Sequence, residues 1–386
     1  MRVLHVITGL APGGAEHQLR LLLRRLPYHC EVATLSNPGS VAAAIRADGT
    51  TVHELAMRGN RDLSAVTGLV ALMRAGRFDL VHTHLYRACV YGRVAARLAR
   101  VPHVVATEHS LGDGLIENRP TTLGVRALYL ASERLGDVTI AVSGAVERRL
   151  RRWGVPRRRI RVIPNGIDSD EFRYDARLRR AGRQRLGIAA DAYVVGGVGR
   201  LTPTKRFDVL IRAVRELPQT TLLLVGDGPA RATLEQVADR QGVADRVVFA
   251  GGAAHVPEML STMDVFASPS EQETFGLAVI EALASGLPTL YAACPPLEEL
   301  AADRPAVAGA RRLSRTPQAL PRALRTELTR LDERDGARLP VPPVVARYDI
   351  ARGAAAVGRL YERLARGDRR TRSPLQQPVE SEGSRR

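Results

Sequence analysis

The 386-residue sequence predicts an α/β protein of two Rossmann-like domains whose parallel sheets face a central cleft. Three observations carry that expectation. Short apolar runs alternate with amphipathic stretches from end to end, the pattern of strand–helix–strand units with parallel strands. The series runs twice, interrupted by a polar, Arg-rich stretch near residues 166–190. A glycine-bearing turn follows the first strand of each series, where open α/β sheets hold their ligands.

In the first half the expected strands are 3–8, 31–35, 52–55, 79–82, 103–107, 138–142 and 161–164, with helices such as 15–25, 63–75 and 87–100 between them. The polar stretch beginning at Asp168 reads as a hinge. The second series follows, with strands 193–199, 221–226, 247–250, 264–268 and 289–292 and helices such as 207–217 and 229–241. These bound a first domain over 1–170 and a second domain over 171–345. A last helix, about 349–366, is expected to pack back on the first domain. Residues 367–386, rich in Arg, Ser, Gln and Pro, hold too little apolar area to order themselves.

Hydrophobic content of 45% and charged content of 25% are those of an ordinary soluble globular chain. Aromatics at 4% are few, so Leu, Val, Ala and Ile must build the cores. Three scattered cysteines, Cys30, Cys89 and Cys294, argue against a disulfide framework or metal cluster and fit a reducing compartment. The first apolar run leads straight into a glycine loop, so it reads as a strand rather than a signal peptide. No stretch reaches the ~18 uninterrupted apolar residues of a spanning helix. A cytoplasmic enzyme is expected, free to lie against the inner face of the plasma membrane.

The net charge is +17, and of 57 cationic residues one, Lys205, is a lysine. Such a skew looks like GC-rich coding, yet the excess favours anionic partners. Nucleic acid is not expected among them, because no recognised binding motif is present. Arg148, Arg149, Arg151, Arg152, Arg157, Arg158, Arg159 and Arg161 cluster around Trp153. They suit an anionic membrane surface, or equally a solvated helix face.

Three motifs carry chemistry. Gly9-Leu-Ala-Pro-Gly-Gly14 joins a strand to a helix, where backbone N–H groups can approach phosphate; a turn needed only for geometry would read the same. Gly199-Arg-Leu-Thr-Pro-Thr-Lys205 places a guanidinium fork and a compact ammonium after the second domain's first strand, a pair suited to a diphosphate. That this Arg-biased chain keeps its lysine here speaks against a merely solvated turn. Glu273 and Glu281 bracket a loop and the start of a helix. Glu281 lies among Val279, Ile280, Ala282 and Leu283, so a buried carboxylate is implied, which needs hydrogen-bond partners such as a ribose diol.

Together with Val225-Gly-Asp-Gly-Pro229, Ser268-Pro-Ser270, Phe275-Gly-Leu277, Glu281-Ala-Leu-Ala-Ser-Gly-Leu-Pro288 and the hinge Ile163-Pro-Asn-Gly-Ile-Asp168, these resemble family-four retaining glycosyltransferases with the GT-B fold. The match reaches to about residue 365. The resemblance implies a nucleotide-sugar donor, UDP- or GDP-linked, and a glycan, lipid-linked or small-molecule acceptor in cell-surface polysaccharide or glycoconjugate synthesis. No cofactor and no metal are implied. Arg200 and Lys205 would hold the diphosphate, Glu281 the ribose, Glu273 the donor sugar's hydroxyls. Backbone amides of Phe275, Gly276 and Leu277 would lie beside sugar and diphosphate. Gly13 and Gly14 would close over the phosphates, and His109 would stand near the donor sugar. His82 and His84 would face the cleft, though a structural role suits them better.

One departure stands out. Cys294-Pro-Pro-Leu-Glu-Glu299 occupies a place where the family usually has Gly-Gly, removing two backbone N–H groups. Asp168-Ser-Asp170 offers a metal-binding pair by letter, but it sits in the hinge and reads as a solvated turn. A dehydrogenase would need a Tyr four residues before a Lys, and Leu201 stands there. The remaining rivals are a nucleotide-sugar epimerase of the same fold and a catalytically silent sugar-nucleotide-binding protein.

Overall fold

The computed structural model describes residues 1–367 except 60–61, 118, 253–254, 301–305, 315 and 317. The expected unstructured tail therefore lies outside the described residues, apart from Gly367.

In chain order the strands of the first half are β1 (Arg2–Ile7), β2 (His29–Thr34), β3 (Thr51–Glu54), β4 (Leu80–His84), β5 (His103–Glu108), the short hairpin β6 (Leu115–Ile116) and β7 (Arg119–Pro120), β8 (Val138–Ala141) and β9 (Ile160–Val162). All but the hairpin form one parallel sheet in the order β3-β2-β1-β4-β5-β8-β9. The second half contributes β10 (Tyr193–Val198), β11 (Thr220–Val225), β12 (Val247–Gly251), β13 (Val265–Ser268), β14 (Thr289–Tyr291) and β15 (Ala310–Arg312). They form a second parallel sheet, β12-β11-β10-β13-β14-β15.

Both orders reverse direction at their first strand: β1 lies between β2 and β4, and β10 between β11 and β13. Beyond the carboxyl ends of such switch points, neighbouring loops diverge and leave a crevice. The glycine turns at Gly13 and Gly199 leave β1 and β10 at these points. Because helices cover both faces, the central strands are nearly continuous apolar runs. Val3, Leu4, Val6 and Ile7 of β1 and Leu222, Leu223 and Leu224 of β11 are all enclosed.

The polypeptide returns to the first domain at its end. The helix Ile350–Ala365 begins on Asp349, whose side chain accepts from the Ala351 N–H at 2.7 Å. It buries Ala354, Val357, Leu360 and Tyr361 against Val3, Leu80, Val105 and Ile140 of the first sheet. Where the outgoing and returning chains pass, the Ile167 N–H donates to Tyr348 O and the Ile350 N–H to Ile167 O, at 2.8 and 2.9 Å. The two passages are thus one hydrogen-bonded unit.

β4 runs two residues further than its apolar run, through Thr83 and His84, because its polar side chains find partners inside the fold. β6, β7 and β15 were not expected from the sequence; strands of two or three residues show no periodicity to read.

In the second domain, Gly226 (φ +136°) and Gly228 (φ +158°) let the loop after β11 press onto the loop after β10. A Cβ on Gly226 would collide with Gly199 O, and one on Gly228 with Leu201 O. Gly226→Ala therefore combines a left-handed backbone with a backbone collision and should lower unfolding free energy by well over ~1 kcal/mol. Gly242→Ala, at φ +66° with nothing within 4 Å of the added carbon, should lose only the ~1 kcal/mol of conformational strain. Urea unfolding of the two variants checks the ranking; equal losses would refute the packing argument.

Candidate functional site

The second switch point is built from three loops. Leaving β10, the Gly199 N–H donates to Val225 O and the Leu201 N–H to Asp227 O, both at 2.9 Å, so the first loop is tied to the second. A 3₁₀ turn, Pro203–Lys205, then turns the chain inward. The third loop, after β13, is joined to it by Ser270, whose hydroxyl lies 3.2 Å from Thr204 O and 3.0 Å from Gln272 O. At their meeting point the Lys205 ammonium donates to Glu273 Oε1 at 2.6 Å. The Glu273 side chain is 11% exposed and that of Lys205 28%, so solvent screens the pair only in part. Arg200 is exposed and makes no ion pair among the described residues.

From Glu273 the chain enters the helix Leu277–Ala284 through Gly276, at φ +99°. Phe275 turns into the core, edge-on to Tyr348 at 5.4 Å, leaving its backbone at the rim. Glu281 lies half-buried one turn into this helix, with no hydrogen-bond partner among the described residues. Burial pushes its carboxyl up to about 7.

Across the cleft, Gly13 caps the helix Gly14–Leu23. A Cβ on Gly13 would collide with Glu16 Oε2 and reach within 3.2 Å of the Arg200 guanidinium, while one on Gly14 would stand 3.3 Å from Leu277 Cδ1. The structure thus brings Gly13, Gly14, Arg200 and Leu277 together. It adds Glu16, a buried carboxylate pushed up to about 7 by burial and drawn back by its own N–H and by Arg200. Its place at the third helical position, after two glycines, was the signal that could have found it.

His109 stands apart. It is buried at the end of β5, and the small cavity it borders is lined by first-domain residues and Gly353 and Val357 of the returning helix. No bond joins it to Lys205, Glu273 or Glu281 among the described residues. His82 and His84 are enclosed and bonded to neighbours, as a structural role requires.

Several contacts fasten the two domains beside this site. The Ser143 hydroxyl donates to Thr274 O at 2.6 Å. Arg149 grips Asp113 through two nitrogens, at 3.0 and 2.9 Å, and reaches Glu273 O at 3.4 Å. Glu299 accepts from the Gly144 N–H at 2.9 Å, at the N-terminus of the helix Gly144–Trp153, and pairs with Arg148 at 3.3 Å. A cavity of ≈ 420 Å³ opens between Arg148, Arg152, Glu273, Pro295 and Arg312. The Cys294–Glu299 segment lends it no free amide. Cys294 N–H donates to Glu298 Oε1 at 2.7 Å, and the amides of Leu297, Glu298 and Glu299 bond within the same turn.

The arginine cluster divides. Arg149 is buried on Asp113, Arg159 donates to Glu133, and Arg161 is buried. Trp153 packs edge-on to Tyr129 at 5.5 Å. That leaves Arg148, Arg151, Arg152, Arg157 and Arg158 exposed, beside the exposed Leu123 and Leu128. Asp168 pairs with Arg25 at 2.8 Å and Asp170 with Arg173 at 2.9 Å, so both carboxylates face cations.

The family models for Glycosyltransferase Family 4 and Glycosyl transferases group 1 match residues 12–171 and 179–325. EpsF of Bacillus subtilis, named as a glycosyltransferase, is 30% identical over 310 residues, 75% of this chain and 78% of its own. A UDP-Gal:alpha-D-GlcNAc-diphosphoundecaprenol alpha-1,3-galactosyltransferase of Escherichia coli is 28% identical over 238 residues, 60% of this chain and 62% of its own, just under two thirds of its length. Among solved structures, Anabaena Alr3699/HepE in complex with UDP and glucose superposes with a TM-score of 0.80 at 24% identity, over 94% of this chain and 99% of that one. At that identity the shared property is the fold.

Glu108, the last residue of β5, is enclosed beside this region, and burial pushes its carboxyl up to about 7. Between pH ~4.5 and ~7 the folded chain therefore holds a proton there that the unfolded chain has released, and this contribution to stability grows as pH falls. The neutral histidines His5, His82, His84 and His109, pulled below the usual imidazole range by burial, act in the opposite sense below ~6.5. Removing the carboxyl leaves the histidine term less opposed. Glu108→Gln should lose ~1.4 kcal/mol more than the parent for each pH unit of acidification between ~6.5 and ~5, read from urea midpoints. Parallel pH profiles would refute it.

Proposed function

The chain belongs to the group 1 glycosyl transferases, a glycosyltransferase of the family-four type with the GT-B fold, and from that premise we propose that it moves a sugar from a nucleoside-diphosphate donor with retention at the anomeric carbon. The observation that carries this reading is the Lys205–Glu273 pair at 2.6 Å, together with an Arg200 that has no ion pair and a Glu281 that has no hydrogen-bond partner among the described residues. A cation without an ion pair and a lysine already oriented by its carboxylate suit a diphosphate, and a carboxylate without partners suits hydroxyls.

Glu281 takes the ribose diol, which supplies the hydrogen bonds its buried carboxylate lacks. Arg200 and Lys205 stabilise charge as it develops on the departing diphosphate. Lys205 is held in place beforehand by Glu273, so little reorganisation is needed in the transition state. Glu273 receives donor-sugar hydroxyls on its second oxygen. The amides of Phe275, Gly276 and Leu277 line the diphosphate side, and Gly13 and Gly14 let the first domain close over it. The acceptor attacks from the leaving-group face and gives its proton to the departing phosphate. A UDP- or GDP-sugar is the proposed donor; the name of the Escherichia coli relative and the Anabaena complex support UDP. The acceptor is a glycan or lipid-linked saccharide of a cell-surface polysaccharide or glycoconjugate, handled in the cytoplasm.

Peripheral membrane attachment rests on a smaller patch than eight arginines. Five exposed arginines form it, of which Arg148, Arg152 and Arg157 already pair with Glu299, Asp113 and Glu147, and each cation contributes at most ~1 kcal/mol near an anionic surface. The chain should cosediment with anionic liposomes and not with neutral ones at moderate salt. Equal recovery from both removes the proposal.

Steady-state kinetics with UDP- and GDP-sugars test the central reading. Glu281→Ala should mainly raise the donor KM, since ribose is bound alike in ground and transition states. Lys205→Ala should lower kcat by ~10²–10³, because its charge matters most as phosphate leaves. Lys205→Arg should restore only part of this, a planar fork being a poor substitute for a compact ammonium. With cations at the diphosphate and Asp168 and Asp170 already paired to arginines, EDTA should leave turnover unchanged. A fully active Lys205→Ala, or turnover that EDTA abolishes and Mg²⁺ restores, overturns the corresponding half.

A further inference from the structure

Four of the chain's imidazoles meet inside the first domain, an unusual use of a buried sheet face. His5 lies on β1, His82 and His84 on β4, and His109 follows β5; strand register sets His5 against His82 and His84 against Thr107. Three of the rings form a line. His109 Nε2 lies 3.2 Å from His84 Nδ1, and His84 Nε2 lies 3.1 Å from His5 Nδ1. Their centroids are 5.5 and 5.3 Å apart with interplanar angles of 28° and 21°. Nearly coplanar rings at these separations meet edge to edge, nitrogen to nitrogen, which is the geometry of N–H···N bonds.

His82 is a different member. Both its nitrogens are spent on hydroxyls, Nδ1 with Tyr361 at 2.5 Å and Nε2 with Thr107 at 2.6 Å. It packs against His84 at 4.1 Å between centroids, closing one side of the line. Burial holds all four rings neutral.

Three neutral imidazoles carry three N–H protons, and each of the two bonds uses one. The third must sit at an end, either on His5 Nε2 or on His109 Nδ1. These are the two nitrogens of the line without a hydrogen-bond partner. The ends differ in surroundings. His5 is wholly enclosed. His109 borders the cavity of ≈ 30 Å³ lined also by Gln18, Thr107 and Asn165, with room for a water or a hydroxyl but not a sugar ring. A proton on His5 would leave an enclosed donor with no acceptor, the rarer kind of orphan. A proton on His109 sits on a ring that borders a cavity lined by the polar residues Gln18, Thr107 and Asn165.

We propose that His84 and His5 are positioning residues that lock His109 in its Nδ1–H tautomer, so that it serves as a neutral hydrogen-bond donor to an incoming oxygen and not as a base. This rests on the proposal that His109, as the family resemblance implies, stands near the donor sugar. His84 Nδ1–H then donates to His109 Nε2, and His5 Nδ1–H to His84 Nε2. The ring plane of His109 is fixed by the same two bonds.

The test uses the full chain labelled with ¹⁵N-histidine at pH 7.5, with His109→Gln and His5→Phe for assignment. The parent should show His109 Nδ1 protonated and Nε2 bare. In His5→Phe the line loses its end, and His109 should become a mixture of tautomers while kcat falls about 10-fold at unchanged donor KM. The tautomer readout separates this from simple destabilisation, and the parent spectrum decides the matter even where His5→Phe folds poorly. A bare Nδ1 in the parent overturns the proposal. So does stoichiometric zinc in the purified protein, since His5, His82 and His84 offer nitrogens within 4.8 Å of one another and a metal would occupy the lone pairs the line needs. An inactive His109→Gln beside a fully active His5→Phe of unchanged tautomer overturns the positioning role alone. A fully active His109→Gln overturns the reading of His109 and the proposal with it.

Discussion

An ammonium and a carboxylate at 2.6 Å require that Lys205 and Glu273, on loops from different strands, arrive at the same place. Most of the second domain's local design answers to that requirement. Gly226 and Gly228 let the loop after β11 lie against the backbone that carries Arg200 and Lys205. Ser270 bonds the loop after β13 to Thr204, one residue before Lys205. Gly276 then turns the chain into a helix at a φ that other residues adopt at a cost, with Cys294 Sγ close beneath its Cα. An ion pair so held costs side-chain entropy when it forms, which the fold has already spent before a ligand arrives.

The first domain solves a different problem. Its sheet places titratable groups where a parallel sheet ordinarily places Val and Ile. The imidazoles largely satisfy one another, and the same domain encloses Glu108 and Glu16, whose carboxyls burial pushes up to about 7. Each group alone would make the fold sensitive to pH. Imidazoles that refuse protons and carboxyls that retain them pull in opposite directions over the same range, so together they flatten the dependence. A polar interior is tolerable here because most of its nitrogens and oxygens have a partner; of those that lack one among the described residues, His109 Nδ1 and Glu108 Oε2 lie at the carboxyl end of β5, while His5 Nε2 lies within β1.

This contrast explains what was legible in the sequence. Strand–helix alternation reports apolar runs, and it revealed the doubled sheet and the returning helix because these rest on Val, Leu and Ile. The cations and acids of the second domain were legible because they lie on short loops at fixed distances from strand ends, where sequence spacing is nearly spatial position. Glu16, Glu299 and the His5–His84–His109 line were not. Each draws its meaning from a partner far along the chain: Arg200 for Glu16, Gly144 for Glu299, and strand register for the histidines. The arginine cluster was legible only in part, for the complementary reason. Adjacent letters on a helix point around its axis, and so Arg149 is buried on Asp113 while Arg148 and Arg152 stay exposed, Arg152 reaching the same Asp113 from the solvent side at 3.6 Å.

The departure at Pro295 acquires a structural role in this light. Two prolines at the first turn of the short helix Pro295–Glu298 lack N–H groups that would have no acceptor there in any case. The remaining amides of the turn bond internally, which removes it as a source of donors to a ligand. What the segment offers instead is the carboxylate of Glu299, carried across the cleft to the free amide at Gly144 and to Arg148. A helix N-terminus favours an anion, and here the protein supplies its own. A loop that would otherwise speak to the ligand has become part of the seam between the domains. On the proposed reading, recognition of the transferred sugar then falls on Glu273 and on groups the first domain brings to the cleft.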